Sequence, residues 1–207
     1  GDVRDDFPSG RPIFSKIDER LESFPDSEPG LVNLLSVFAT TGESLFIGNS
    51  LPIREWNEFG QRETPYARVF ANRGANGIDG QLSSWLGATA ETPDSWGVFG
   101  DLTTLYDLAA PAMFSQVECQ GRVIVVINNG GGQIFEHLPR FSQLTKNQKD
   151  AIVQPQVFDL KGWAVMWDMD YLRIENREGF DALEVGGKAL LVELIPNSGE
   201  TAQFYAV

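Results

Sequence analysis

The sequence predicts an α/β fold in which a mostly parallel, six-stranded sheet carries helices on both faces. Six short segments are apolar along their whole length, which is typical of strands that are buried on both faces of a sheet. Segments with the apolar spacing of helices separate them, and strands that alternate with helices form parallel sheets. With 207 residues and a hydrophobic fraction of 42%, the chain is long enough for one large domain with a real core.

Each element follows from a local pattern. Residues 1–13 are rich in Asp, Gly and Pro, and residues 14–24 have apolar side chains at helical spacing, so we expect a linker and a short helix over 1–26 and the main domain over 27–207. Ser27 is the expected N-cap of the next helix. The predicted strands cover 44–48, 67–71, 95–99, 121–127, 163–167 and 188–194. The predicted helices cover 28–40, 78–89, about 103–117 and about 170–184, with shorter ones near 52–58 and 143–150.

Composition excludes several kinds of partner. A net charge of −13 argues against nucleic acid and anionic membranes, and no apolar run is long enough to predict a transmembrane helix. The single Cys119 rules out an internal disulfide framework and fits a reducing cytosol, so we expect a cytoplasmic protein. Gly1 in place of an initiator methionine, together with the linker-like 1–13, favours an excised part of a longer protein over a natural small subunit.

Four glycine-containing clusters follow predicted strands, and each also contains Asn, Asp or Arg. They cover residues 48–54 (GNSLPIR), 72–80 (NRGANGIDG), 100–102 (GDL) and 128–135 (NNGGGQIF). Glycine after a strand is by itself ordinary turn chemistry. Ligands of parallel sheets, however, bind beyond the carboxyl ends of the strands, and four such clusters at one edge indicate a binding site.

Two of these clusters predict a site for a metal-bridged anion. Asp101 and Asn129 follow two strands, and their side-chain oxygens suit a hard cation such as Mg²⁺. The glycines beside them let the backbone approach whatever that cation holds, most plausibly a diphosphate. Because the chain is strongly acidic and has no lysine-bearing phosphate loop, the cation, backbone N–H groups and a few arginines must neutralise the anion locally.

The same clusters resemble a known enzyme family. Gly100-Asp101, separated by 26 residues from Asn128-Asn129, resembles the cofactor signature of thiamine diphosphate enzymes of the transketolase and pyruvate-decarboxylase superfamily. The wider set of NSLPIR, NRGANGIDG, GDLTTLYDL and NNGGGQIF is similar to one branch, the 2-succinyl-5-enolpyruvyl-6-hydroxy-3-cyclohexene-1-carboxylate synthases of the MenD type. The resemblance extends from about residue 27 to about residue 195 and implies the C-terminal, diphosphate-binding domain of such an enzyme, with the thiamine diphosphate-binding fold.

The resemblance implies roles for individual residues. Asp101 and Asn129 would bind Mg²⁺ (or Mn²⁺) through side-chain oxygens, and Gly131 through its backbone carbonyl. Ile78 would be an apolar wedge beneath the cofactor. The full set of implied cofactor-binding residues is Ile78, Gly100, Asp101, Leu102, Asn129, Gly131 and Ile134. Arg54 and Arg73 would pair with substrate carboxylates, and the other implied substrate-binding residues are Asn49, Ser50 and Phe135.

The family's reaction and partners follow from the same resemblance. It implies a transferase (a carboligase) of menaquinone biosynthesis that decarboxylates 2-oxoglutarate and adds the product in a 1,4 sense to isochorismate. In the superfamily, a glutamate on a separate pyrimidine-binding domain, of the same or another subunit, activates the cofactor. We therefore expect no catalytic residue in this chain, no turnover by the chain alone, and a homo-oligomer for the full-length protein.

Departures from the family pattern leave alternatives open. Family members usually have Leu-Asn where this chain has Leu108-Ala109, and Pro111 follows inside the predicted helix. An internal proline costs roughly 3 kcal/mol, so the helix either starts late, with Pro111 in its first turn, or is kinked. Gly130 replaces a common Asn or Asp. His137, the only histidine, has no triad partner and is expected at the surface or the rim of the pocket. Another thiamine diphosphate-dependent decarboxylase or carboligase, and a non-catalytic module that keeps the fold, remain the alternative functions.

Overall fold

Six parallel strands form one sheet in the order β2-β1-β3-β4-β6-β5. The strands are β1 (Ser44–Ile47), β2 (Val69–Phe70), β3 (Ser95–Gly100), β4 (Val123–Ile127), β5 (Asp170–Ile174) and β6 (Leu190–Leu194). The structure is a computed structural model that describes residues 11–61, 63–74, 77–136 and 140–206, with side chains from residue 16 onward. Every strand pair is parallel, which confirms the predicted α/β class.

Helices connect the strands. They are α1 (Arg11–Ser23), α2 (Glu28–Phe38), α3 (Leu51–Phe59), α4 (Gln81–Ala88), α5 (Asp101–Leu105), α6 (Lys146–Val153), α7 (Leu160–Met166) and α8 (Ser198–Tyr205). Short 3-10 helices cover Ala39–Thr41, Ala110–Ser115, Gln133–Phe135, Phe141–Gln143 and Arg177–Ala182. The side chain of Ser27 accepts a hydrogen bond from the backbone N–H of Gly30, as expected of the N-cap of α2. Over the described ranges, the structure contains no helix whose length and apolar character would let it cross a membrane.

The core covers both faces of the sheet. Val123, Val125 and Ile127 of the central strand β4 belong to a cluster with the apolar faces of α2 and α3. The residues between them, Ile124 and Val126, belong to a second cluster with α4 and α7. Because successive side chains of a strand point to opposite faces, β4 is buried on both sides, which explains its continuous apolar sequence.

The prediction for residues 163–184 was wrong. The run WAVMW, predicted as a strand, lies mostly in α7, and the predicted helix 170–184 begins instead with strand β5. Leu160, Trp163 and Ala164 are buried at helical spacing, whereas Val165 and Met166 are 73% and 72% exposed. The segment was predicted as a strand because its run of apolar residues is unbroken, although one side of the helix faces solvent. Strand β5 contains the exposed charged residues Asp170 and Arg173 because it lies at the edge of the sheet.

Pro111 starts a new element and does not kink a helix. The helix predicted over 103–117 ends at Leu105, and a separate 3-10 helix begins at Ala110 with Pro111 in its first turn. Proline is tolerated there because the first turn of a helix lacks internal acceptors for its N–H groups. The result is a short α5 whose first residue is Asp101.

Candidate functional site

An open cleft lies beyond the carboxyl ends of the central strands. Because β1, β3 and β4 are neighbours in the sheet, the segments that follow them meet at one edge, where α/β proteins bind ligands. The predicted site residues that line this cleft are Ser50, Ile78, Gly100, Asp101, Leu102, Asn129, Gly131, Ile134 and Phe135. The structure thus brings together residues from four sequence clusters that lie up to 85 positions apart, counted from Ser50 to Phe135.

Asp101 joins the start of α5 to the loop after β4. Its carboxylate is 2% exposed, and Oδ1 accepts a hydrogen bond of 2.6 Å from the backbone N–H of Leu102. Oδ2 accepts from the backbone N–H groups of Gly130 and Gly131 at 3.0 and 2.7 Å. Burial raises the pKa of Asp101 to about 6, although these hydrogen bonds lower it. A cation beside this carboxylate would favour its charged form.

Asn129 carries an oxygen that lacks a partner. Its Nδ2 donates to Oε1 and Oε2 of Glu28 at 2.9 and 3.1 Å. Its Oδ1 is buried and has no hydrogen-bond partner among the residues that the structure describes. A buried acceptor without a partner costs about 1–3 kcal/mol, so this oxygen marks a place where a ligand would be stabilising.

The loop after β4 needs glycine for two reasons. Gly130 and Gly131 have φ angles of +88° and +125°, in the region that side-chain-bearing residues rarely adopt. A Cβ atom on Gly131 would also lie 2.5 Å from the backbone oxygen of Val153. This conformation points both N–H groups at Asp101, while the carbonyl of Gly131 accepts one hydrogen bond, of 2.8 Å, from the N–H of Gln133. A carbonyl oxygen has two lone pairs, so Gly131 keeps a second acceptor position.

The donors around the cleft are those of a hard-cation site with few carboxylates. No group of three or more His, Cys, Asp or Glu that would hold a metal ion exists within the described part of the chain. Asp101, Asn129 and Gly131 offer a carboxylate, an amide and a backbone carbonyl, which are all oxygen donors of the kind that Mg²⁺ and Ca²⁺ prefer. Mg²⁺ in particular takes few protein ligands, because substrate phosphates and water complete its octahedron.

Two buried glutamates beside this site were not predicted from the sequence. Glu28, the first residue of α2, lines the cleft, and the carboxyl group of Glu55 of α3 lies close enough to shift its pKa. Both are almost fully buried, and the hydroxyl of Tyr205 donates to Oε1 of Glu55 at 3.2 Å. Burial raises the pKa of Glu28 to about 7, with a further rise from the charge of Asp101, and burial together with Glu28 raises the pKa of Glu55 well above its usual range.

The sequence did contain a signal for one of them. Glu55 lies on the apolar face of α3, between the buried residues Leu51 and Phe59 at helical spacing. A charged residue in such a position is rarely fully buried unless it is paired or functional. Glu28 gave no comparable signal, since an acidic residue in the first turn of a helix is ordinary.

The predicted substrate-binding residues lie beside the cleft but differ in accessibility. Arg54 is exposed on α3 and, with Ile134 and Phe135, lines a groove that continues from the cleft. The Arg54 Nη1 donates to the carbonyl of Ser50 at 2.5 Å. Arg73 is also exposed, and its Nη1 donates to Oδ1 of Asn49 at 3.0 Å.

Asn49 and Ser50 have local structural roles. Asn49 is buried, and its Nδ2 donates to the carbonyl of Gly77 at 2.9 Å, so both ends of its amide are engaged within the protein and it holds Arg73 in place. Ser50 has a φ of +74°, which is unusual for a residue with a side chain and is a mark of functional sites. His137 and residues 75 and 76 of the second cluster lie outside the described residues.

Comparisons with known proteins show similarity to one kind of enzyme. The chain is 43% identical to a 2-succinyl-5-enolpyruvyl-6-hydroxy-3-cyclohexene-1-carboxylate synthase of Akkermansia muciniphila over 189 residues, which are 90% of this chain and 36% of that protein. Proteins with the same name from Bdellovibrio bacteriovorus and a Roseiflexus species are 38% and 33% identical over 92% and 81% of the chain, and over 35% and 29% of their own lengths. No protein-family model matches the chain. The chain thus spans about a third of the length of the curated relatives it matches.

Proposed function

Because this chain belongs to the family of 2-succinyl-5-enolpyruvyl-6-hydroxy-3-cyclohexene-1-carboxylate synthases, we propose that it binds thiamine diphosphate through Mg²⁺ or Mn²⁺. In this proposal, residues 27–207 form the diphosphate-binding domain of the enzyme. The observation that carries the proposal is the buried, unpartnered Oδ1 of Asn129 in the same cleft as the buried carboxylate of Asp101. The glycine loop after β4 lines this cleft with Gly131 and Gly132, at the place where a diphosphate would lie.

Different residues of the cleft hold different parts of the cofactor. Asp101, Asn129 and the carbonyl of Gly131 hold the cation, and the cation offsets the diphosphate charge in a chain with a net charge of −13. Ile78 supports the cofactor from below, and Ile134 lines the same cleft. When bound, thiamine diphosphate supplies carbanion stabilisation, while the protein supplies position and electrostatics.

The arginines select the substrates. In the proposed reaction, 2-oxoglutarate is decarboxylated and the product is added to isochorismate, so both substrates carry carboxylates. Arg54 and Arg73 bind these carboxylates, and Phe135 lines the same groove as Arg54. Asn49 keeps Arg73 oriented through its hydrogen bond. Such positioning lowers the barrier because the reacting carbons are held in register.

The rest of the enzyme completes the site. A pyrimidine-binding domain, from the same or another subunit of a cytoplasmic homo-oligomer, covers the open side of the cleft and contributes the glutamate that activates the cofactor. The 207-residue chain alone is therefore expected to bind the cofactor weakly and to leave 2-oxoglutarate unchanged. Release of CO₂ by the chain alone would contradict this division of labour.

The experiment that tests the function uses the protein as its gene encodes it. Consumption of isochorismate and release of CO₂ from 2-oxoglutarate are measured with thiamine diphosphate and Mg²⁺, and pyruvate replaces 2-oxoglutarate in a parallel reaction. We expect turnover with 2-oxoglutarate and a rise in its KM of about 10-fold or more on Arg54→Ala or Arg73→Ala, since a charge-assisted hydrogen bond contributes about 1.5–3 kcal/mol. Arg173→Ala, at the exposed edge of the sheet, is the control. Preference for pyruvate would favour another thiamine diphosphate carboligase.

A further inference from the structure

Glu28 contacts Asn129 in a way that distinguishes the two ends of the amide. The Nδ2 atom of Asn129 lies within hydrogen-bond distance of both oxygens of the Glu28 carboxylate, at 2.9 and 3.1 Å. An ionised carboxylate can only accept hydrogen bonds, whereas an asparagine side chain has a donor end and an acceptor end. Rotating the amide by half a turn would place Oδ1 against two acceptor oxygens and would leave both Nδ2 protons facing the cleft.

Glu28 is itself held firmly in place. It is 2% exposed, and its backbone N–H donates to Oγ1 of Thr201 in α8 at 2.9 Å. Its carboxyl group also contacts Glu55 of α3, which is held in turn by the hydroxyl of Tyr205. Three helices from separate parts of the chain therefore converge on Glu28 and fix the carboxylate relative to the loop after β4.

Burial of the Glu28 carboxylate is unfavourable in free energy, so its presence in the cleft needs an explanation. Glu28 lies in the same cleft as the Asp101 carboxylate, and like charges in a buried site repel each other. A glutamine would fill the same space without that charge, but its amide has a donor and an acceptor and could pair with either end of Asn129. In the structure, the two hydrogen bonds that Asn129 Nδ2 donates to Oε1 and Oε2 of Glu28 select one orientation of the amide.

From these contacts we propose that Glu28 is a positioning residue that orients the Asn129 amide so that its Oδ1 faces the cation of the cofactor. The inference rests on the proposed function, because it assigns the cation of thiamine diphosphate to this cleft. Glu28 acts through Asn129 and does not bind the cation. The unpartnered Oδ1 is the result: Nδ2 faces Glu28, Oδ1 is buried without a partner, and Asn129 lines the cleft together with Asp101.

The test is a double-mutant cycle on cation affinity in the protein as its gene encodes it. Mn²⁺ binding is measured by electron paramagnetic resonance in the presence of excess thiamine diphosphate. Glu28→Gln is expected to weaken Mn²⁺ binding by about 10–100-fold, the usual effect of losing a group that orients a metal ligand. Asn129→Asp replaces the amide with two like oxygens, so adding Glu28→Gln to Asn129→Asp should cause no further loss.

Glu55→Gln is the matched control, because it also replaces one carboxyl group of the same buried pair with an amide but does not touch Asn129. It is expected to leave Mn²⁺ affinity within about 3-fold of the wild type. Three results would overturn the inference: unchanged affinity in Glu28→Gln, an equal loss in Glu55→Gln, or the same loss when Glu28→Gln is made in the Asn129→Asp background. An equal loss in Glu55→Gln would mean that charge alone attracts the cation.

A second readout separates this inference from the proposed function. Selective ¹⁵N labelling of asparagine side chains allows the hydrogen exchange of the Asn129 Nδ2 protons with water to be measured in the cation-free protein. We expect this exchange to be slow in the wild type and in Glu55→Gln, and fast in Glu28→Gln. If the wild type binds no Mn²⁺ with thiamine diphosphate, the proposed function fails, and so does the role of Glu28 toward the cation. Fast exchange in a wild type that does bind Mn²⁺ would overturn the positioning role alone.

Discussion

Replacing Glu28 with glutamine is expected to stabilise the cation-free chain at high pH but not at low pH. Burial raises the pKa of Glu28 from 4.5 in the unfolded chain to about 7 in the folded one. At pH values between these two pKa values, the folded state binds more protons than the unfolded state, so the free energy of unfolding falls as pH rises. The stabilising contribution is complete below pH 4.5 and is lost as pH rises through 7. Glutamine does not titrate, and its amide can donate to Glu55.

The size of the effect follows from the pKa difference. A rise from 4.5 to about 7 corresponds to about 3 kcal/mol, at about 1.4 kcal/mol for each pH unit. The advantage of Glu28→Gln over the wild type should therefore grow by about 3 kcal/mol from pH 4 to pH 8, or roughly 6–12 °C in Tm for a chain of this size. Urea denaturation of the 207-residue chain in EDTA at several pH values measures it, with the exposed Glu63→Gln as control. An advantage that is the same at pH 4 and pH 8 would refute the reasoning.

Three further substitutions test the local structure through the free energy of unfolding. Gly131→Ala should destabilise the chain by about 2 kcal/mol or more, because it combines a positive φ with a clash against Val153. Gly187→Ala is the control, since a Cβ atom at that position meets nothing within 4 Å. Equal effects of the two substitutions would contradict the loop geometry. Ser50→Gly should stabilise the chain by about 1 kcal/mol, because glycine adopts the positive φ of residue 50 without strain. The same change should weaken substrate binding. A loss of stability would argue against backbone strain at Ser50. Arg122→Lys should destabilise the chain by about 2 kcal/mol, since the fully buried guanidinium donates hydrogen bonds to Thr89, Ser95 and Glu118. An unchanged free energy of unfolding would show that the planar geometry of the guanidinium is unimportant.

The sequence predicted the sheet and the position of the cleft because both depend on local signals. Strand β4 is continuously apolar since both faces are covered, and the glycines after β3 and β4 mark the sheet edge where chains turn. WAVMW was assigned wrongly for the same reason: a short apolar run does not distinguish a buried strand from a helix with its apolar side inward. Val165 and Met166 are exposed residues of α7 but are themselves apolar, so WAVMW showed no helical periodicity.

The site was predictable only where its residues belong to contiguous motifs. Asp101, Asn129 and Gly131 are each identified by neighbours in sequence. The contact of Glu28 with Asn129 joins residues 101 positions apart, and that of Tyr205 with Glu55 joins residues 150 positions apart. Such pairs arise from the packing of α2, α3 and α8 against one another at the sheet edge. Asn49, predicted to bind substrate, is buried and accepts a hydrogen bond from Arg73, a contact that sequence neighbours do not indicate.

The cleft combines features that destabilise the protein when no cation is bound. Buried carboxyl groups, an acceptor without a partner and a strained serine each reduce the free energy of unfolding. A divalent cation would favour the ionised form of Asp101 and provide a partner for Asn129. If the chain binds the proposed cofactor with its cation, we therefore expect its free energy of unfolding to rise.

The most direct test of the proposed function is calorimetric titration of the protein, as its gene encodes it, with thiamine diphosphate in the presence and absence of Mg²⁺. The account predicts tight binding only with Mg²⁺, and loss of that Mg²⁺ dependence in Asp101→Ala. The matched variant Asp107→Ala, whose carboxylate accepts hydrogen bonds from Ser83 in α4 and does not line the cleft, should keep it. Binding that is equally tight without Mg²⁺, or unchanged in Asp101→Ala, would contradict the account.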